Sequence, residues 1–170
     1  MKKLLFLVIL LIFMGCSNTQ IDKNKKNDIG LCVKYLNNWE LEKLETKILE
    51  IDLYDKKLAD ELKKDLLVRK QNQKDLEKLL EKIKFSIEVQ QIDDIEVYFE
   101  NTLKNRELLK FLKENDFSSY NIVVGKAKFY KNTATNVIGL IYLDQVEYLS
   151  VKYRLKENNW RIEGWKAKEF

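Results

Sequence analysis

The spacing of apolar residues changes once along this chain, at Tyr120, and that change limits the fold more than any other feature. Before it, leucine and isoleucine recur every three or four positions, the period of a helix with one buried face. After it, apolar and polar residues alternate, the period of a strand with one buried face. Helices followed by a run of strands define an α+β chain, with the strands forming an antiparallel meander.

Within the helical part, Leu41, Leu44, Ile48, Ile51, Leu58, Leu62 and Leu66 mark one face, and Asn37 or Asn38 with Glu40 offers a start signal. Asp55 interrupts this stripe, which argues against a long coiled-coil dimer. Residues 69–74 are wholly polar, and Asn72 with Asp75 can open a second helix; one continuous helix over 40–90 is the competing reading. Leu76, Leu79, Leu80, Ile83 and Ile87 form the next stripe. Asp93 with Glu96 has capping-box spacing and predicts a third helix bearing Ile92, Ile95, Phe99 and Leu103. Asn105 is the expected cap of a fourth, carrying Leu108, Leu109 and Leu112. The Leu-Glu-Lys-Leu match between residues 41–44 and 76–79 fades within a turn and a half, so a repeat array is rejected.

Four strands are expected: Tyr120–Tyr130, Asn136–Leu143, Glu147–Leu155 and Trp160–Lys166. Asn158 and Asn159 suit a tight last hairpin, because asparagine tolerates positive φ.

The front end reads differently. Lys2 and Lys3 precede an unbroken apolar run from Leu4 to Met14, which stops at Gly15-Cys16 and turns polar. Eleven helical residues reach about 16 Å, near half of a 30 Å hydrocarbon core, so the run is a secretion-signal core and not a span. Its parts resemble a bacterial lipoprotein signal with its lipobox. That resemblance implies diacylglycerol on the Cys16 thiol and cleavage just before it. Lipid attachment at Cys16 then holds the protein on a bacterial membrane, in the cell envelope, with its body outside the cytoplasm. The expected organisation is a signal peptide over 1–15, a flexible tether over 16–29, a helical extension over 30–71 and an α+β domain over 72–170.

Without Lys2 and Lys3, 29 basic residues face 27 acidic ones, too slight an excess to argue for nucleic acid. Histidine is absent, which removes imidazole bases and common zinc-water sites. The five glycines never cluster into a phosphate loop, and no Asp-rich calcium loop occurs. No metal or cofactor is expected. Cys32 lies in an apolar patch and reads as a buried small hydrophobe. Tyr142, Tyr153, Trp160 and Trp165 are candidate ligand-binding residues, because rings with polar tips suit a cavity wall. Ordinary core packing competes for them. Parity puts Tyr153 and Trp160 on the core side and Trp165 outward. Lys152, Arg154, Lys156 and Arg161 share a sheet face that can attract anionic headgroups or wall polymers, or can simply be solvated. Asp93 or Asp94 is the candidate base if the chain is an enzyme; helix capping accounts for the same spacing.

The order of helices and strands from residue 75 onward, with the closing hairpin Lys152-Tyr153-Arg154-Leu155-Lys156-Glu157-Asn158-Asn159-Trp160-Arg161-Ile162, resembles the nuclear transport factor 2-like superfamily. It is most similar to the small bacterial lipoprotein members. The resemblance implies a cone-like body in which a sheet wraps a helix, and a pocket carboxylate in those members that are enzymes. The functional expectation is a membrane-anchored, non-catalytic module that binds an envelope protein or small ligand. A small isomerase or cyclase using a pocket carboxylate, and a helical adhesin or assembly subunit built on 38–70, are the alternatives. Composition does not set the oligomeric state.

Overall fold

The computed structural model describes residues 20–168, so the expected signal peptide over 1–15 and Cys16 lie outside the described residues. Among the described residues five helices come first: α1 (Gln20–Asn38), α2 (Leu41–Asp52), α3 (Lys56–Glu88), the single turn α4 (Asp93–Glu96) and α5 (Leu103–Glu114). Five strands follow: β1 (Asn121–Val124), β2 (Lys128–Tyr130), β3 (Thr133–Tyr142), β4 (Gln145–Lys156) and β5 (Asn159–Ala167). The chain is α+β, with its helices N-terminal to an open antiparallel sheet.

The first helix begins inside the segment expected to be a flexible tether. Two of its polar residues are partnered: Lys25 pairs with Asp55 at 2.6 Å, and Asp28 takes Lys47 at 2.7 Å and the Tyr54 hydroxyl at 2.6 Å. Lys25 and Asp28 are thus tied to α2 and to the α2–α3 corner.

That corner lies at residues 53–55, where the apolar stripe skipped Asp55. The Asp55 carboxylate accepts the Leu58 amide at 3.0 Å and caps α3. The polar stretch 69–74 instead lies inside α3, which runs unbroken for 33 residues. Gln71 and Gln73 each donate one turn onward, to Asp75 and Glu77, so the stretch stays helical without an apolar face. Residue 71 falls mid-helix, yet the core divides near there. Leu58, Leu62 and Leu66 pack with Cys32, Leu44, Ile48 and Ile51, whereas Leu76, Leu80, Ile83 and Ile87 pack on the sheet.

Trp39 touches both cores. It has positive φ (58°), donates its indole N–H to the Lys131 carbonyl at 2.8 Å and stacks on Phe129 at 4.5 Å. The Arg69 guanidinium sits 4.8 Å over the same indole and donates to the same carbonyl at 2.8 Å. One aromatic residue after α1 thus fastens the helical extension to the β2–β3 turn.

The first expected strand is two. β1 and β2 both pair with β3, but in registers one residue apart. Gly125 presses against β3: its amide bonds the Val137 carbonyl at 2.8 Å, and a Cβ there would meet that oxygen at 3.0 Å. The extra residue in 125–127 switches parity, so Ile122 and Phe129 both face the core despite opposite parity. The β3–β4 turn places Leu143 at φ 53°, and the β4–β5 turn places Glu157 and Asn158 at 49° and 63°.

Three expected caps are overturned: Asn37 and Asn38 close α1, and Glu40 precedes α2 with no side-chain cap bond. α4 makes no side-chain cap bond, and it ends after one turn because residues 98–100 run beside β5 instead: the Ile162 amide bonds the Tyr98 carbonyl, and the Glu100 amide bonds the Ile162 carbonyl. Thr102, not Asn105, caps α5 through the Asn105 amide at 3.2 Å. The Asn105 side chain is fully buried and donates to the carbonyls of Glu100 (2.9 Å) and Ile162 (3.0 Å).

Candidate functional site

The four aromatic candidates do not form one ligand cavity. Tyr153 is fully buried on β4, and its hydroxyl donates to Asn136 Oδ1 at 3.0 Å; burial pushes its pKa up. Trp160 donates to the Asn72 carbonyl at 2.7 Å, and its ring meets Trp39 and Phe129 at about 6 Å. Tyr142 stacks on Tyr120 at 5.0 Å at the far end of β3. Trp165 was expected to face outward. A bulge in β5 near Glu163 shifts the register so that Trp165 pairs with Val151, on the core side, and its N–H reaches the Lys104 carbonyl at 3.0 Å.

The same bulge rearranges the basic face. Glu163 stands between Lys152 (3.1 Å) and Arg154 (2.5 Å), and Lys156 pairs with Glu100 at 2.6 Å. The hydrogen bond from Arg154 holds Glu163 below the usual carboxylate range. Three of the four expected cations are therefore paired in place, Lys152 and Arg154 sharing one carboxylate. Arg161 is different: it donates to the Val97 carbonyl and meets no carboxylate among the described residues.

Asp93 neither caps a helix nor lies in a pocket. Its side chain is 87% exposed and pairs with Lys113 at 2.6 Å. Cys32 is fully buried in the extension, and burial raises its thiol to about 11. Among the described residues no group of three or more His, Cys, Asp or Glu side chains can hold a metal ion, and no helix is long and apolar enough to cross a membrane.

Two hollows flank α3. The larger, about 650 Å³, lies between Gln73, Glu77, Glu81 and Lys84 of α3 and the β1 edge with Gly125 and Lys126. The smaller, about 440 Å³, lies on the other flank, between α3 and the closing hairpin. Lys78 and Lys82 project from α3, Tyr98 comes from the stretch beside β5, and Asn158, Trp160 and Arg161 come from the hairpin. The Lys82 ammonium sits 5.2 Å over the Tyr98 ring. Of the aromatic candidates, only Trp160 reaches this wall, with Arg161 beside it.

Lys78, Lys82 and Tyr98 escaped the sequence reading. The signal was present, since Lys74, Lys78 and Lys82 repeat at one-turn spacing, but Glu77 and Glu81 repeat at the same spacing one residue earlier and make the helix read as evenly solvated. No family model matches the chain, and no curated protein or solved structure matches it.

Proposed function

We propose that this chain is a lipid-anchored cell-envelope protein whose α+β body acts as a binding module and performs no chemistry on what it binds. The observation that carries the reading is the apolar run Leu4–Met14 ending at Gly15-Cys16, followed at once by polar residues. About 0.8 kcal/mol per buried methylene makes two or three acyl chains a near-permanent anchor. The body adds support of its own kind. Both hollows lie at the flanks of one long helix, and of the two carboxylates proposed as a base Asp93 is spent on a surface ion pair with Lys113 and Asp94 is exposed. The reading also takes the body as nuclear transport factor 2-like, supported by helices preceding an antiparallel sheet that closes on the Trp160 hairpin.

The test is metabolic labelling with a palmitate analogue in a bacterium that processes lipoproteins. Label in the wild-type membrane fraction and none in Cys16→Ser is expected. Equal labelling of both, or wild-type protein recovered unlabelled from the soluble fraction, rejects the anchor.

A further inference from the structure

We propose that the hollow between α3 and the closing hairpin is a binding site for a phosphate monoester, held by Lys78, Lys82 and Arg161. This deepens the reading of the body as a binding module and rests on it for the absence of turnover. Lys78 and Lys82 stand one helical turn apart and line the same hollow, the spacing at which like charges destabilise a helix unless an anion lies between them. Neither reaches a carboxylate among the described residues, although Lys84, Lys113, Lys152, Arg154 and Lys156 all do.

Arg161 supplies the third charge from the opposite wall. Its bond to the Val97 carbonyl fixes the guanidinium and leaves its other N–H donors open. Asp75 is the one carboxylate in the lining, and it already accepts from Gln71 at 2.8 Å. The site therefore carries a surplus of two positive charges, matching the charge of about −1.5 to −2 on a phosphate monoester. Tyr98 and Trp160 give the organic part of the ester an apolar wall, and about 440 Å³ suits a small molecule. The larger hollow has no such surplus, because Lys84 and Lys126 face Glu77 and Glu81.

A soluble phosphate ester and the headgroup of a phosphatidate lipid present the same chemistry, so the experiment uses both. The full-length protein in nonionic detergent is titrated calorimetrically with glycerol 3-phosphate, with glycerol as the uncharged control, and then with micelles doped with phosphatidic acid or phosphatidylcholine. Saturable binding is expected for glycerol 3-phosphate, for phosphatidic acid, or for both, and for neither control. Lys78→Gln/Lys82→Gln weakens it about tenfold or more, whereas Lys84→Gln/Lys126→Gln at the other hollow leaves it within about twofold. Binding of neither phosphate probe, or equal weakening by the two double variants, overturns the site and leaves the lipid anchor standing. Release of inorganic phosphate from bound glycerol 3-phosphate leaves the site standing and overturns the non-catalytic reading.

Discussion

Replacing Asn105 tests how the helical half is locked to the sheet. Its fully buried side chain donates to the Glu100 and Ile162 carbonyls, so it holds the α5 start, the 98–100 stretch and β5 at one point. Both carbonyls keep a backbone donor, Thr102 N–H on Glu100 and Glu100 N–H on Ile162, so neither is stranded when the side chain goes. Each lost bond then costs about 1 kcal/mol, and the vacated volume adds about 1 more, so Asn105→Ala loses about 3 kcal/mol. For a body of this size that is a fall in Tm of about 6–12 °C. Asn105→Asp adds a pH signature. A carboxylate aimed at two carbonyls is disfavoured when charged, which places its folded pKa above the unfolded value of about 3.9. Relative to wild type, its deficit is therefore smallest below about pH 4 and grows as pH rises through the folded pKa. Urea denaturation of both variants and wild type at pH 4 and pH 7 measures this. An Asn105→Ala loss under about 1 kcal/mol, or an Asn105→Asp deficit equal at the two pH values, refutes the reasoning.

Asp55→Ala removes the α3 cap and strands Lys25, costing about 1–2 kcal/mol by urea denaturation. Asp28 and Asp55 are held below the usual carboxylate range, by hydrogen bonds from Lys47 and Lys25 respectively. Their contribution is present above the unfolded pKa of about 3.9 and is lost as pH falls through the folded values, so Asp28→Asn flattens the acid limb of the stability profile below about pH 4. Glu157→Asn relieves a non-glycine residue at φ 49°, and raises stability by about 0.5–1 kcal/mol in thermal melts. Cys32 is buried with a thiol near 11, so iodoacetamide at pH 8 leaves it unmodified in the folded protein and alkylates it in 8 M urea, as read by intact mass.

Period carried the fold class, because a switch from three-or-four to two needs no knowledge of partners. It did not mark the α2–α3 corner, because Asp55 reads as a gap in the stripe of a single helix, and the polar stretch at 69–74 looked like the better break. That stretch misled because helical spacing of Gln and acidic residues supports a helix as well as an apolar stripe does. The tether misled for the same reason: Asp28 and Lys25 look solvated until Lys47, Tyr54 and Asp55 are brought beside them. Trp165 was placed on the wrong side by a single inserted residue, and strict alternation has no means of signalling a bulge. At the candidate site, Trp160 and Arg161 were visible in the closing hairpin. Lys78, Lys82 and Tyr98 were not, since only the pairing of 98–100 with β5 brings them to the same hollow.

The mass of the mature N-terminus is the most direct measurement of the account. Protein recovered from bacterial membranes and analysed by mass spectrometry should begin at Cys16, lack residues 1–15 and carry a thioether-linked diacylglycerol. A peptide that still contains Met1, or one that shows Cys16 as a free thiol, contradicts it.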